Sequence, residues 1–216
     1  LKKLGFTPFL PKINNENLCC GRTFLTYGLV EKTKNEYKNI LKTFSPYLEK
    51  GIPVVGLEPS CILSFRDELP SLIKSKEALL LSQNSFTFEE LLIKKTPNFN
   101  FKAYNNKVLL HGHCHQKAFD AVNPIVEILN KVPKIQLENI ETSCCGMAGS
   151  FGYNKETYEV SIKMAMAKLI PSILKYKNPT VIADGTSCRA QIKDQSSIKA
   201  IHIANFLEPL IIEKHN

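Results

Sequence analysis

The apolar positions of the chain form two patterns, which are short continuous runs bounded by turn residues and longer stretches with helical spacing. Such short runs indicate buried strands, and a 3.6-residue spacing of apolar positions indicates helices. The predicted strands span residues 52–57, 107–111, 134–137 and 180–183. The predicted helices span residues 23–50, 61–81 with a break at Pro70, 88–95, 118–130, 155–176 and 204–213. Because strands alternate with helices, we expect an α/β fold with short parallel sheets flanked by helices.

A turn-rich segment separates two halves of this pattern. Thr96-Pro97-Asn98 and Asn105-Asn106 are rich in residues that favour turns, and a new strand pattern begins directly after them. We therefore expect a boundary between residues 95 and 106, with a first lobe at residues 1–98 and a second lobe at residues 99–216.

A repeated cysteine pattern marks both lobes. Cys19-Cys20-Gly21 is followed by Ser60-Cys61, and Cys144-Cys145-Gly146 is followed by Ser187-Cys188. An internal repeat of this kind indicates a duplicated unit, so we expect two pseudo-symmetric lobes. The second copy has a further cysteine, Cys114, whose counterpart in the first copy would precede residue 1. Because the chain begins with Leu rather than Met, we expect it to be a piece of a longer polypeptide with a truncated first repeat.

The clustering of the cysteines favours metal chemistry over a disulfide framework. The chain is long, its seven cysteines are an odd number, and adjacent cysteines are poorly suited to bridging each other. Thiolates suit zinc, copper(I) and iron–sulfur clusters. The predicted ligands of a complete second site are Cys114, Cys144, Cys145 and Cys188, and those of an incomplete first site are Cys19, Cys20 and Cys61. We expect the four sulfurs of the second site to converge from three loops, with Gly146 freeing the backbone so that both adjacent thiols face one side.

Three of these cysteines follow predicted strands. Cys61, Cys114 and Cys188 come shortly after the carboxyl ends of strands, where open α/β sheets bind ligands. The glycine-rich segment 149–152 either approaches a bound group closely or forms a plain turn.

All three arginines of the chain lie beside the cysteine motifs. Arg22 follows the first Cys-Cys-Gly, Arg66 lies shortly after Cys61, and Arg189 follows Cys188. A guanidinium near clustered thiolates would offset their negative charge, lower the pKa of the thiols and raise the reduction potential of a bound metal cluster. Alternatively, each arginine caps a loop or pairs with a nearby acid.

The composition and the charge of the chain limit the remaining protein classes and partners. The chain has 216 residues, of which 44% are apolar and 22% charged, as in an ordinary soluble globular protein. Its apolar runs are shorter than the roughly 18 residues of a membrane span. The net charge of +8 comes from scattered lysines without a nucleic-acid-binding module, so we expect no nucleic-acid partner. Reduced cysteines favour a cytoplasmic location, and the positive charge leaves open a peripheral position at the inner face of the membrane.

Five motifs together carry a family resemblance. They are Cys19-Cys20-Gly21-Arg22, Glu58-Pro59-Ser60-Cys61, the segment 111–117 (HGHCHQK), the segment 144–152 (CCGMAGSFG) and the segment 183–189 (ADGTSCR). In this order they resemble the cysteine-rich CCG domain found in heterodisulfide reductase and in iron–sulfur subunits of glycolate, glycerol-3-phosphate and lactate oxidation systems. They are most similar to the C-terminal region of fused FAD-linked oxidases with an iron–sulfur segment, such as D-lactate and D-2-hydroxyglutarate dehydrogenases.

The resemblance implies a part in FAD-dependent oxidation of a D-2-hydroxy acid, with electrons passing through iron–sulfur groups to a quinone or another acceptor. The FAD would belong to the missing part of the full-length protein, so the fragment alone is not expected to be active. Its partners would be the flavin and ferredoxin-like portions of the same polypeptide. The expected cofactor-binding residues are Arg22, Arg189, Gly146 and His113.

The sequence departs from the heterodisulfide reductase pattern at one position in each repeat. Each repeat of that pattern ends in Cys-x-x-Cys. In this chain the position of the first of these two cysteines is occupied by Glu58 in the first repeat and by Gly185 in the second. A smaller cluster, a single zinc ion or an empty site is therefore expected rather than a large non-cubane cluster.

Two other functions stay open. The domain could be a zinc-stabilised structural or interaction module. It could also be a thiol-based redox enzyme in which His113 and His115 activate Cys114. In either case His111 is predicted to hydrogen-bond the site, and His202 to be a surface or packing residue. Asp184 is predicted either to accept a hydrogen bond near the site or to cap the helix after Gly185.

Overall fold

The computed structural model describes residues 1–11, 18–95, 99–142 and 144–212. The chain divides into two compact units, residues 1–91 and 92–216. This division lies inside a helix, Phe88–Lys95, and so falls slightly before the predicted turn-rich boundary. The origin of the two units by duplication stays a prediction.

The first unit contains a two-stranded parallel sheet and six helices among its described residues. The helices are α1 (Arg22–Thr26), α2 (Val30–Leu48), α3 (Pro59–Ile62), α4 (Glu68–Leu72), α5 (Lys76–Gln83) and α6 (Phe88–Lys95), which continues into the second unit. The strands are β1 (Val54–Gly56) and β2 (Ser85–Thr87), which place Val55 opposite Phe86. Leu63, Leu69 and Leu81 are fully buried in the core of this unit.

Two predicted helices of the first unit are interrupted in the structure. The helix predicted at 23–50 breaks between α1 and α2, where Gly28 has a left-handed φ of 72° that a helix interior does not allow. The helix predicted at 61–81 is divided into α3, α4 and α5, and the Ser75 hydroxyl caps α5 by accepting the Ala78 N–H at 3.1 Å. The hydrophobic pattern does not predict strand β2, because its three residues contain one large apolar side chain.

The second unit is built on a three-stranded parallel sheet with the order β4-β3-β5. The strands are β3 (Lys107–Leu110), β4 (Gln136–Asn139) and β5 (Thr180–Ile182). The helices are α7 (Cys114–Ala118), α8 (Asn123–Asn130), α9 (Tyr158–Ala167), α10 (Leu169–Leu174), α11 (Thr186–Ser196) and α12 (Ile203–Leu207). Residues 108–110 of the central strand are buried, and Leu109 lies opposite both Glu138 and Val181. The prediction of an α/β fold with short parallel sheets flanked by helices is confirmed.

Helix boundaries in the second unit also differ from the prediction. The helix predicted at 118–130 begins only at Asn123, because Asp120 adopts a φ of 55° after the short helix α7. The helix predicted at 155–176 is divided at Lys168 into α9 and α10. The helix predicted at 204–213 ends at Leu207 in a 3₁₀ turn containing Pro209, and residue 213 lies outside the described residues. The sequence predicts α11 only as the helix after Gly185, for which Asp184 is a candidate cap.

The helices of the described residues are too short or too polar to cross a membrane.

Candidate metal centre

Three loops of the second unit meet at one edge of its sheet. Strand β3 leads into the segment 111–114, β4 into the segment 140–146, and β5 into the segment 183–188. Because the strands are parallel neighbours, their carboxyl ends lie at the same edge. The three loops carry Cys114, then Cys144 and Cys145, then Cys188.

The four thiols of this edge lie next to one another. Cys114 hydrogen-bonds with Cys144, Cys144 with Cys145, and Cys145 with Cys188, so the sulfurs form a continuous chain. Cys145 and Cys188 are buried, Cys144 is half-buried, and Cys114 is exposed. The structure thus brings together the four residues of the complete predicted site, whose role as metal ligands stays a prediction.

Gly146 allows the two adjacent cysteines to adopt this arrangement. It has a φ of 87°, and its N–H points back to the Cys144 sulfur at 3.3 Å. A Cβ atom at this position would lie 2.2 Å from the carbonyl oxygen of Ser161. Both the conformation and the close contact therefore require glycine.

The first unit repeats this local geometry. Gly21 has a φ of 72° and its N–H lies 3.4 Å from the Cys19 sulfur. The Sγ atoms of Cys20 and Cys61 are 3.0 Å apart. In each unit, therefore, the second cysteine of the Cys-Cys-Gly motif contacts the cysteine of the following Ser-Cys pair. Cys61 lies in the short helix α3 after β1, just as Cys188 lies in the first turn of α11 after β5.

In each hydrogen-bonded pair of thiols, one thiol has a lowered pKa and the other has a raised pKa. The hydrogen bond with Cys61 lowers the pKa of Cys20 to about 6, and the same bond raises the pKa of Cys61. In the second unit the hydrogen bond with Cys114 lowers the pKa of Cys144 to about 2, and the bond with Cys145 lowers the pKa of Cys188.

The thiols that hydrogen-bond with Cys144 and Cys188 have raised pKa values and therefore keep their protons. Hydrogen bonding with Cys144 raises the pKa of Cys114, and hydrogen bonding with Cys144 and Cys188 raises the pKa of Cys145. This direction is opposite to that of an activated nucleophilic thiol, so the pKa of Cys114 does not favour the thiol-enzyme alternative.

His111 lies beside the two buried thiols. A ring nitrogen of His111 and the sulfurs of Cys145 and Cys188 all lie within 4.8 Å of one another. The Nδ1 atom of His111 is 3.0 Å from the hydroxyl oxygen of Thr142. The sequence predicts His111 as a hydrogen-bonding residue of the site, and the structure places it in contact with the site.

His113 lies next to Gly185. Its Nδ1 accepts the His115 N–H at 3.2 Å, which caps α7, and the Cys114 sulfur is 3.9 Å from the same atom. A Cβ atom at Gly185 would lie 2.4 Å from the His113 Cδ2 and 3.3 Å from the Cys188 sulfur. Gly185 has an ordinary φ of −69°, so glycine is needed here for space rather than for backbone conformation.

Lys117 supplies a positive charge at the four thiols. Its Nζ donates to the Thr142 carbonyl and lies 3.4 Å from the Thr142 hydroxyl. Burial lowers its pKa, while the charges of Cys188, Cys114, Cys144 and Cys145 oppose that change. Sequence reasoning missed this role, although its position one helical turn after Cys114 was a usable signal.

The arginines contact protein groups. Arg189 donates to the carbonyl oxygens of Ala183, at 3.0 Å, and Asp184, and to the Thr186 hydroxyl at 3.1 Å. Arg22 forms an ion pair with Glu68, and Arg66 with Glu90 at 2.7 Å. These contacts match the loop-capping and ion-pair alternative. Arg22 also lowers the pKa of Cys20 through its backbone N–H and its charge, after the larger effect of Cys61. Cofactor contacts of Arg22 and Arg189 stay predictions.

Asp184 connects the β5 loop with two helices. One carboxylate oxygen accepts from the Gln116 side chain at 2.9 Å, and the other accepts from the Ile203 N–H at 3.1 Å. The Gln116 amide oxygen in turn accepts the His113 N–H at 3.0 Å. Of the two predicted roles, the structure thus shows hydrogen bonding near the site rather than capping of α11. His202 lies 3.6 Å from the same carboxylate as a buried packing residue.

Comparisons with known proteins bear on this site. Residues 108–193 match the family model of the cysteine-rich domain CCG, a range that contains all four clustered cysteines. The chain is 26% identical over 187 residues to a subunit of the anaerobic glycerol-3-phosphate dehydrogenase of Escherichia coli (strain K12), covering 85% of this chain and 47% of the relative. It is 28% identical over 222 residues to D-2-hydroxyglutarate dehydrogenase of Haemophilus influenzae, covering 93% of this chain and 20% of the relative.

A third relative has a similar length to the chain. Lactate utilization protein A of Macrococcus caseolyticus is 25% identical over 221 residues, which cover 96% of this chain and 86% of the relative. The chain thus spans less than half of the two dehydrogenase relatives and most of the lactate utilization protein.

Proposed function

We propose, from the cysteine-rich CCG domain that residues 108–193 carry, that this chain is a metal-binding electron-transfer module of a larger dehydrogenase system. The observation that carries the proposal is the meeting of four thiols from three loops at one sheet edge. Independent core cysteines have no reason to converge in this way, whereas thiolate ligands must. An iron–sulfur cluster is the proposed cofactor.

The donor set fits such a cofactor. Cys114, Cys144, Cys145 and Cys188 would hold it, with His113 and Gly146 beside it, and Cys19, Cys20 and Cys61 would form the incomplete first site. When bound, an iron–sulfur cluster supplies one-electron transfer. Lys117 offsets the charge of the thiolates, which otherwise repel one another.

The chain's own residues prepare the site for a soft metal. Burial of Cys145 and Cys188 excludes water from the inner pair, while the exposed Cys114 keeps the outer side accessible. The Gly146 N–H donates toward the Cys144 sulfur, a hydrogen bond that stabilises the thiolate form. The fold thus buries one side of the site and leaves the other side exposed, as a relay of electrons between partners needs.

The names of the relatives support a substrate class for the whole system. They include dehydrogenases of glycerol-3-phosphate and D-2-hydroxyglutarate and a lactate utilization protein. The proposed reaction is FAD-dependent oxidation of a D-2-hydroxy acid of the D-lactate type. The flavin and ferredoxin-like portions would lie elsewhere in the same polypeptide or in a partner subunit. Electrons would pass to a quinone or another acceptor, and a net charge of +8 suits a cytoplasmic position at an anionic membrane surface.

One observation favours a zinc-stabilised structural module as the second candidate. His111, Cys145 and Cys188 form a compact group within 4.8 Å, a size that suits a single ion. In this alternative the ion would stabilise the fold and take no part in electron transfer.

Metal analysis separates the two candidates. Anaerobically purified chain, with and without reconstitution by iron and sulfide, would be assayed for iron, sulfide, zinc and visible absorption. The electron-transfer proposal expects bound iron and sulfide with a broad absorption, both lost in Cys188→Ser and retained in the control Lys193→Ser on the same helix. Colourless protein with zinc would support the structural module, and protein without iron or zinc would overturn both candidates.

A further inference from the structure

We propose that His111 is a nitrogen ligand of the metal bound at Cys145 and Cys188, so that the second site is a mixed nitrogen and sulfur site. This inference rests on the proposed metal-binding function and goes beyond the set of four cysteines. It assigns to His111 a direct bond, where the sequence predicts only a hydrogen bond.

The backbone fixes His111 at the inner wall of the site. Its N–H donates to the Ile182 carbonyl at 2.9 Å, which extends the pairing of β3 and β5 by one residue. The residue is 1% exposed, and Cys145 and Cys188 are 4% and 2% exposed. All three residues are therefore buried in the interior of the second unit.

The distances suit one ion. The ligand atoms of His111, Cys145 and Cys188 lie within 4.8 Å of one another. Around a tetrahedral zinc ion, bonds of about 2.1 Å to nitrogen and 2.3 Å to sulfur separate ligand atoms by roughly 3.6 Å. A small inward movement of these three side chains would therefore satisfy an ion, and Cys144, which hydrogen-bonds with Cys145, is the neighbouring candidate for a fourth ligand.

The two ring nitrogens of His111 have different partners, and the His111 side chain hydrogen-bonds with the Cys188 sulfur. Its Nδ1 lies 3.0 Å from the Thr142 hydroxyl, so Nε2 is the nitrogen available to the two thiols. Metal-bound histidines donate their other N–H to a fixed acceptor, which orients the ring and sets its tautomer. Thr142 is itself held by Lys117, which donates to its carbonyl and lies 3.4 Å from its hydroxyl. Thr142 and Lys117 are positioning residues in this arrangement.

His202, in the same unit, differs from His111 in the partners of its ring nitrogens. It is also buried, but its Nδ1 accepts the Ala204 N–H at 3.0 Å and its Nε2 lies 3.6 Å from the Asp184 carboxylate. Both nitrogens of His202 are thus engaged by the protein, as in a structural histidine. His111 instead directs one nitrogen at two sulfurs.

X-ray absorption at the zinc edge tests the inference with Zn²⁺ alone as the probe. The full chain would carry Cys61→Ser, to weaken the first-unit site, and would be loaded anaerobically with one equivalent of Zn²⁺. The expected spectrum requires one nitrogen neighbour in addition to sulfur. His111→Cys should keep the bound zinc but convert its shell to sulfur alone, whereas the matched control His115→Cys should keep the nitrogen.

A second measurement follows the positioning residue. Thr142→Val keeps the shape of the side chain and removes its hydroxyl, so zinc affinity in a chelator competition should fall about 10- to 100-fold. A nitrogen neighbour that persists in His111→Cys, or an all-sulfur shell before substitution, would overturn the inference and leave the proposed function intact. A chain that binds neither zinc nor iron would overturn both.

Discussion

Gly146 and Ser161 are in such close contact that a Cβ atom on Gly146 would lie 2.2 Å from the Ser161 carbonyl oxygen. This contact sets the path of the backbone directly after Cys144 and Cys145. Ser161 is itself fixed, because its carbonyl and hydroxyl oxygens accept hydrogen bonds from the Gln191 side chain at 3.2 and 3.0 Å. The position of the adjacent thiols is therefore tied to the packing of α9 against α11.

Gly146→Ala should destabilise the metal-free, reduced protein. A positive φ on a residue with a side chain costs about 1–3 kcal/mol, and forcing an atom into a filled space costs about 1–3 kcal/mol more. The expected loss in the free energy of unfolding is therefore about 2–6 kcal/mol, measured by urea denaturation. Gly149→Ala is the matched control, since Gly149 has a φ of 56° but no atom within 4 Å of the added Cβ. Equal losses in the two variants would contradict the packing argument.

Gly185→Ala should act through His113. The added Cβ would lie 2.4 Å from the His113 Cδ2, while the backbone φ of −69° accepts any residue. We expect Gly185→Ala to lower the free energy of unfolding, and we expect a smaller loss when His113 is already alanine. The coupling in this double-mutant cycle should be about 1–2 kcal/mol. If the losses in unfolding free energy of the two single variants simply add in the double variant, the His113 ring does not fill the space beside Gly185.

Cys61→Ala should raise the pKa of Cys20 in the metal-free first unit. The hydrogen bond between Cys20 and Cys61 is the largest cause that lowers the Cys20 pKa from 9.0 to about 6, so its removal should return the pKa toward 9.0. The thiolate absorbance of the chain followed against pH, with Cys20→Ser as the control, reports this shift. A titration near pH 6 that persists in Cys61→Ala would contradict it.

The same pair predicts how stability depends on pH. Because the Cys20 pKa is lower in the folded than in the unfolded state, its contribution is fully present above pH 9 and is lost as the pH falls through about 6. Cys61 has the opposite shift, so its contribution falls as the pH rises above 9.0. The free energy of unfolding of metal-free protein should therefore rise from pH 6 toward pH 9. This rise should become smaller in Cys20→Ser but persist in part, because the lowered pKa values of Cys144 and Cys188 contribute to the same rise.

Arg189→Gln should separate the structural role of this residue from a cofactor role. Loss of its hydrogen bonds to the Ala183 and Asp184 carbonyls should cost about 2 kcal/mol of unfolding free energy. If these contacts are its only role, metal content and reduction potential should stay unchanged. A lowered potential at unchanged metal content would instead support the cofactor contact predicted from the sequence.

The general placement of the thiols could be predicted because it depends on simple rules. Carboxyl ends of parallel strands share one sheet edge, so the order of strands and cysteines sufficed to bring Cys114 and Cys188 together. Helix α6 was also predicted with its observed bounds, since its apolar spacing is uninterrupted.

Other features depend on atoms that the sequence pattern does not display. The break at Gly28 depends on a left-handed conformation that glycine permits but does not require. The contacts of Arg189 depend on which loop carbonyls face it. Lys117 was missed because lysines are abundant throughout the chain, and only its hydrogen bonds to Thr142 distinguish it.

Native mass spectrometry of the anaerobically prepared full chain would show whether the second-unit thiols hold a metal, because it weighs the bound metal or cluster on each variant. We expect an added mass that persists in Cys61→Ser and Lys193→Ser and is lost in Cys145→Ser and Cys188→Ser. The same added mass in Cys188→Ser as in the unaltered chain, or no added mass in any variant, would contradict a metal centre at the second-unit thiols.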